Sequence, residues 1–144
     1  MIADNVRKVF EENLWFVATC AEEPNVVPVG FKCVMEDGRL AIGAILLETT
    51  LENIRKNGRI AIAAANPTTA EAYQIKGRAE LVTEGPTWEH YARLAEDTFK
   101  GACPLRCVVM VTPGRLIVAS PNGDNRKERS LEEGAGQGKT PDSL

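Results

Sequence analysis

Histidine and aromatic residues are scarce in this sequence of 144 residues. His90 is the single histidine, and aromatic residues make up 6% of the chain. A Ser–His–Asp or Cys–His catalytic site cannot be assembled convincingly from so few candidates. Among the four cysteines, only Cys103 and Cys107 are close in sequence, and their CPLRC spacing argues against a zinc site. We therefore predict no metal site and no catalytic side chain, and we expect a bound cofactor to supply any chemistry.

A strong net charge and long apolar segments are also missing. The formal charge is −3, with 44% hydrophobic and 26% charged residues, which are ordinary values for a soluble globular protein. A nucleic-acid scaffold normally shows a basic face, and no apolar run approaches the length that spans a bilayer. The opening MIADNVRKVFEEN is acidic and amphipathic, unlike a signal peptide. We expect one cytoplasmic domain with free thiols and with no nucleic-acid or membrane partner.

An apolar strand, a short helix and a second apolar strand follow one another between residues 40 and 67. Gly58 suits a left-handed end for the helix at 51–57, and Thr49 or Thr50 can cap its start. The free amides of the first turn and the helix dipole would favour an anion such as a phosphate. The alternative is an ordinary connecting helix with a capped start.

The remaining segments predict a mainly β protein with peripheral helices. Asp4 is expected to cap a first helix and Pro86 to begin a later one, and Gly77 suits a bulge inside a strand. Hairpin-length turns between the strands favour an antiparallel barrel over a parallel, doubly wound sheet. We expect strands at 14–21, 26–35, 40–47, 59–65, 72–83, 105–112 and 116–119, with a turn at Pro113–Gly114 between the last two.

Pro28 and Gly30 interrupt the second of these strands. Proline cannot donate to a ladder and glycine has no side chain to pack, so their presence indicates an edge, a bulge or a place where something flat approaches the backbone. After residue 121 the composition becomes polar and rich in glycine. We therefore divide the chain into a domain at 1–121 and a tail at 122–144, which could be disordered or lie across a partner subunit.

Three segments occur in order within residues 9–120: PNVVPVGFKCVMEDGRLAI, LLETTLENIRKNGRIAIAAA and AYQIKGRAELVTEGPTWEHY. Together they resemble the pyridoxamine 5′-phosphate oxidase-like split-barrel family, above all its short FMN-binding members. Their most specific part is Thr-x-x-Asn, from Thr50 to Asn53, combined with the downstream IKGRAE and EGP. The resemblance implies a six- to seven-stranded antiparallel split β-barrel that forms a homodimer, with FMN in clefts at the subunit interface.

The resemblance also implies a cofactor site built from two chain segments and the start of a helix. The segment Pro28–Lys32 would run along the isoalloxazine ring through backbone contacts. Residues 44–50 would wrap the ribityl chain, and the phosphate would lie at the start of helix 51–57. The implied cofactor-binding residues are Pro28, Val29, Gly30, Phe31, Lys32, Ala44, Ile45, Leu46, Glu48, Thr49, Thr50, Asn53 and Lys76.

The chain departs from the family pattern next to the phosphate. Many relatives carry a Lys or Arg immediately before the phosphate-binding Thr, whereas this chain has Thr49, preceded by Glu48. Lys76 is our first choice for the missing cation because it lies on the polar face of its strand; the alternative is a solvated strand lysine. Other candidates are Lys32, Arg78 and Arg106, and Arg126, Lys127 and Arg129 of the tail of a partner subunit.

These observations predict that the protein is a dimeric FMN-binding flavoprotein, an oxidoreductase or electron carrier that acts on a small molecule or a redox partner. The alternative is a non-catalytic split barrel that binds a flavin, a deazaflavin or haem. A third hypothesis is a structural dimer with an empty cleft. Because the chain lacks the closing segment of the longer pyridoxamine phosphate oxidases, we do not predict vitamin B6 oxidation.

Overall fold

The structure, a computed structural model, describes residues 2–132. It has three helices and eight strands in this range, none of the helices being long and apolar enough to cross a membrane. The elements are α1 (Asp4–Glu12), β1 (Trp15–Cys20), β2 (Pro24–Val29), β3 (Lys32–Val34), β4 (Leu40–Ala44), α2 (Thr49–Asn57), β5 (Arg59–Ala65), β6 (Ala72–Val82), α3 (Pro86–Phe99), β7 (Cys107–Val118) and β8 (Glu128–Arg129).

One antiparallel sheet joins the strands in the order β2-β1-β5-β6-β7-β4-β3, and β8 pairs with β7. The strands β2 and β3 lie at opposite ends of this order, although only Gly30 and Phe31 separate them in the chain. The sheet therefore curls until its two ends come together. No ladder in the described range joins β2 to β3, so the barrel stays split along that line. The predicted mainly β, antiparallel split barrel is confirmed.

The barrel interior is filled by alternate side chains of the strands. Trp15 and Val17 of β1 are fully buried with Ile62 of β5 and Ile75 of β6. The helices α1 and α2 add their apolar faces to the same cluster. Both faces of β4 are covered, because α3 packs Tyr91 against a second, smaller cluster on its outer side. A strand buried on both faces reads as a continuous apolar run, which is why β4 shows no alternation.

Several predicted boundaries at the start of the chain are wrong. Ala3, not Asp4, precedes the first helical residue, and no side chain caps α1. The strand expected at 14–21 is not wholly buried, because Leu14 is 54% exposed and Phe16 is 48% exposed. The segment 26–35 forms two strands that break at Gly30 and Phe31, as the interruption there suggested, and the strand from Leu40 ends at Ala44.

The predicted turn at Pro113–Gly114 is also wrong, since β7 runs through it without a break. Gly77 lies opposite Pro113, and the register shifts by one residue between Lys76 and Gly77. Gly114 is therefore the extra residue of a β-bulge, which confirms the bulge expected at Gly77. A Cβ atom at Gly77 would lie 3.1 Å from the carbonyl carbon of Thr112, too close without a backbone shift.

Residues 122–132, the first part of the predicted tail, continue the fold. They contribute β8, and the backbone carbonyl of Leu131 accepts a hydrogen bond of 2.9 Å from the amide of Ala3. The rest of the tail lies outside the described residues. The division of the chain at residue 121 stays a prediction.

Candidate functional site

A cavity of about 630 Å³ opens beside β2, the strand at one end of the sheet. Within the described range β2 pairs only with β1, so the backbone groups along its other edge have no strand partner. The loop between β4 and α2 forms the opposite wall. We call this space the split cavity, and its lining residues are Asn25, Val27, Ile45, Leu46, Leu47, Glu48, Thr49, Thr50 and Arg106.

The start of α2 supplies free backbone donors to the split cavity. Glu48 precedes the helix, no side chain caps it, and the first intrahelical bond runs from the amide of Glu52 to the carbonyl of Glu48 at 3.0 Å. The amides of Thr49–Leu51 thus have no intrahelical acceptor, and the positive end of the helix dipole lies among them. The predicted threonine cap is wrong, because Thr49 and Thr50 already belong to the first turn. Such a helix start suits an anion.

Thr50 and Asn53 have different surroundings from those predicted. Thr50 is 2% exposed, and its hydroxyl accepts a hydrogen bond of 3.1 Å from the side-chain amide of Asn25. Asn53 is also buried and donates from Nδ2 to the hydroxyl of Thr19 at 3.1 Å. Asn53 therefore fastens α2 to β1 and does not line the cavity. Neither Asn25 nor Thr19 could be predicted from the sequence, because their partners Thr50 and Asn53 are distant in the chain.

Arg106 provides a cation at the rim of the split cavity. Its backbone amide donates to the carbonyl of Ala44 at 2.9 Å, next to the paired residues Cys107 and Ala44. Its guanidinium Nη1 donates to the carbonyl of Leu47 at 3.0 Å and lies 3.8 Å from Oε1 of Glu48. Arg106 thereby holds the loop that forms one wall of the cavity.

The predicted segment Pro28–Lys32 does not line the split cavity of its own subunit. Val29 is buried in the core, and the ring of Phe31 packs against Tyr91 with centroids 5.2 Å apart. Pro28 and Gly30 are exposed. The place of this segment beside a flavin ring stays a prediction.

Lys32, the last residue of that segment, has backbone partners in the structure. Its Nζ donates to the carbonyl of Phe10 at 2.9 Å and to that of Glu11 at 3.2 Å, at the end of α1. It also lies 5.2 Å from the centroid of the Trp15 ring. Burial lowers the pKa of Lys32 below its usual value. These contacts commit Lys32 to the end of α1 and away from a ligand.

Lys76 lines a different cavity, of about 550 Å³, on the outer face of the sheet. We call it the sheet-face cavity. Arg59 and Cys20 lie on it, together with the small side chains of Ala18 and Ala61. The structure therefore brings all of residues 45–50 together at the split cavity. It leaves Lys76 outside that group, and also Ala44, which is buried in the sheet opposite Cys107. Asn25 lines both cavities.

The profile of the pyridoxamine 5′-phosphate oxidase family matches residues 2–129. The chain belongs to the pyridoxamine 5′-phosphate oxidase family. An uncharacterized protein of Methanocaldococcus jannaschii is 31% identical over 107 residues, which cover 72% of this chain and 68% of the relative. The family predicted from the three ordered segments is thus confirmed.

Solved structures of this family's fold superpose well on the chain. HupZ of Group A Streptococcus matches with a TM-score of 0.74 and 23% identity, over 86% of this chain and 98% of HupZ. An FMN-binding protein of Syntrophomonas wolfei matches with a TM-score of 0.64 and 15% identity, over 80% of this chain and 84% of that protein. At these identities the likeness establishes the shared fold.

Proposed function

We propose that this protein binds FMN in the split cavity and uses it to transfer electrons. The observation that carries the proposal is the uncapped start of α2, which opens into a cavity beside the free edge of β2. A phosphate monoester is close to a dianion at neutral pH. The helix start offers it backbone amides, and Arg106 offers an opposite charge on the same wall. The residues present fit the phosphate end of the cofactor.

The other end of FMN requires a flat, partly apolar surface with hydrogen-bonding groups at its rim. The unpaired edge of β2 has such backbone donors and acceptors. Val27 and Leu46 add apolar contact area, Leu46 being 81% exposed at the rim. When bound, FMN would supply the redox chemistry. The side chains of this chain would hold and orient it, and no protein acid or base is needed for that role.

A homodimer is the second part of the proposal. The outer face of β1, β2 and β5 carries Phe16, exposed by 48%, and Val26, exposed by 63%, around the small residues Ala61 and Ala63. An exposed apolar face of this kind is typical of a protein interface. A second copy seated there would cover the sheet-face cavity and lie close to Asn25, which also lines the cofactor site. The cytoplasmic location and the identity of the small molecule or redox partner stay predictions.

A flavin titration tests the proposal. Purified protein is mixed with FMN, and absorption spectra are recorded before and after gel filtration with light scattering. A flavin spectrum that elutes with a dimer supports both parts of the proposal. Failure to retain FMN would overturn it, and the same titration with a deazaflavin and with haem then examines the alternative cofactors.

Turnover separates a redox enzyme from a binding module. The FMN-loaded protein is mixed with a reduced nicotinamide under anaerobic conditions, and bleaching of the flavin absorption is followed. Bleaching faster than that of free FMN supports an oxidoreductase. Bleaching no faster than that of free FMN would favour the non-catalytic split barrel.

A further inference from the structure

We propose that Arg106 is the residue that neutralises the phosphate of the cofactor. The inference rests on the proposed function and identifies the cation of that site, for which the sequence favoured Lys76. A phosphate at the start of α2 would lie next to Glu48, whose side chain is 81% exposed at the cavity wall. The helix dipole supplies only about half a positive charge. The site therefore needs a full cation to hold a dianion.

Arg106 is the only lysine or arginine, among residues 2–132, that lines the split cavity. Its guanidinium carries five N–H donors, and its one hydrogen bond to a residue in the described range runs from Nη1 to Leu47. The contact with Glu48, at 3.8 Å, is too long for a hydrogen bond. Donors on the planar fork are therefore available to an incoming phosphate, and such a fork binds phosphate oxygens well.

The other candidate cations lie elsewhere. Lys32 is committed to the carbonyls at the end of α1, and Lys76 lines the sheet-face cavity. The guanidinium of Arg78 lies beside Gly58, at the opposite end of α2 from the phosphate site. Arg129 pairs with Asp124 at 3.0 Å. Geometry thus leaves Arg106 as the cation that a single subunit places at the start of α2.

The electrostatics of a neighbouring thiol agree with this assignment. Cys107 is buried, and burial raises the pKa of its thiol. Arg55 and Arg106 act in the opposite direction, each lowering the pKa of Cys107. Of these two guanidinium groups, only that of Arg106 belongs to the described residues that line the split cavity.

Comparing FMN with riboflavin isolates the phosphate, since riboflavin lacks it. We measure the dissociation constants of both by flavin fluorescence for the wild type, Arg106→Ala, Arg106→Gln and Arg106→Lys. We expect both uncharged variants to bind FMN about 10- to 100-fold more weakly, because a hydrogen bond to a charged group is lost, with riboflavin binding unchanged. Arg106→Lys should restore part of the FMN affinity, and Glu48→Gln should raise it by removing a repulsion.

Two further variants serve as comparisons. Arg93→Ala removes the same charge from an exposed position on α3 and should leave both dissociation constants unchanged. Lys76→Ala examines the competing assignment. The melting temperature of each variant without flavin shows whether the substitution has destabilised the fold, including the loop that Arg106 holds.

The outcomes are distinct. Wild type that binds neither flavin overturns the proposed function and this inference with it. Wild type that binds FMN, with Arg106→Ala unchanged or with Lys76→Ala showing the larger loss, overturns the inference alone. An equal loss of affinity for FMN and for riboflavin in Arg106→Gln also overturns the inference, because that result would mean that Arg106 supports the loop and does not contact the phosphate.

Discussion

The split cavity and the sheet-face cavity meet at Asn25, yet they are built from different parts of the chain. The split cavity is made of a strand edge, a loop and a helix start, all of which present unpaired backbone groups. The sheet-face cavity lies mainly over paired strands, where the ladders have already used the backbone donors. The split cavity therefore offers main-chain atoms to a small polar ligand, whereas the sheet-face cavity offers mostly side-chain surface.

This difference explains why positively charged side chains would have different roles beside the two cavities. Arg106 lies beside free amides and would add its charge to the proposed anion site. Lys76 and Arg59 lie at the rim of small, apolar residues such as Ala61, where a cation suits the polar border of a protein interface. Lys76 is therefore a weaker candidate than Arg106 for the proposed phosphate site, because the backbone donors around it are already paired in the sheet.

The strongest test of the comparison is Ala63→Glu, on the same outer face of the sheet. Ala63 lies opposite Phe16 and Gln74, so in the proposed dimer this substitution buries a carboxylate with no cation opposite it, which costs several kcal/mol. We expect the dimer to dissociate and FMN affinity to fall by more than about 100-fold, a loss of roughly 3 kcal/mol. Light scattering and flavin fluorescence measure the two effects. Ala102→Glu, in the exposed loop after α3, is the matched control. A dimeric Ala63→Glu protein with normal FMN affinity would remove the sheet face from the interface.

Asn53→Ala distinguishes support of the split cavity from contact with the ligand. The substitution leaves the buried hydroxyl of Thr19 without its donor. We expect the free energy of unfolding to fall by about 1–3 kcal/mol, measured by urea denaturation. FMN affinity of the folded protein should change little. Thr19→Val and the double variant complete a double-mutant cycle, in which the losses of unfolding free energy should not add because the two side chains interact. Lost FMN affinity at full stability would restore Asn53 to the binding site.

Thr50→Val examines the contact where the cavities meet. Valine keeps the shape of threonine but cannot accept the hydrogen bond from Asn25. Freed from this bond, Asn25 would no longer hold the wall shared by both cavities. We expect FMN to bind about five-fold more weakly, a loss of about 1 kcal/mol, by fluorescence titration. Thr49→Val, at the exposed neighbouring position that also lines the split cavity, reports the effect of removing a hydroxyl that takes no part in this bond. An unchanged Thr50→Val protein would mean that Asn25 needs no such anchor.

Lys32→Met should have the smallest effect. It removes the donor to the last carbonyls of α1 but keeps a long apolar side chain over Trp15. We expect about 0.5–1 kcal/mol less stability against urea, because the charge no longer complements the helix end. FMN affinity should not change. A selective loss of FMN binding would instead support the predicted contact between Lys32 and the cofactor.

Local signals in the sequence were sufficient for much of the fold. Gly58 adopts φ of 67° and ends α2 where it was expected, and β5 has the predicted bounds. The signals failed where a distant partner decides the structure. Pro113–Gly114 has the composition of a turn, but its pairing with Gly77 makes it a bulge within a long strand. No periodicity in the sequence shows that pairing.

The candidate site was predicted less completely than the fold. The loop 45–50 could be found because a strand, a hydroxyl pair and a helix follow one another there. Arg106 comes from a loop more than fifty residues further along, and the pairing of β4 with β7, together with its hydrogen bonds to Ala44 and Leu47, places it beside that segment. The spacing between Thr50 and Asn53 predicted that Asn53 contacts the ligand, but its side chain donates a hydrogen bond to Thr19. Side-chain roles of this kind depend on tertiary neighbours.

The two-residue link between β2 and β3 also has a consequence for the order of folding. On either side of Gly30 and Phe31 lies a hairpin with a short turn, β1–β2 and β3–β4, and each can form from local contacts. The pairings β1–β5 and β4–β7 close much longer loops. The conformational entropy of these loops must be lost before the strands can pair. We expect the two hairpins to form early as a tethered pair. Docking of β7 onto β4 would then set the rate at which the native barrel is reached.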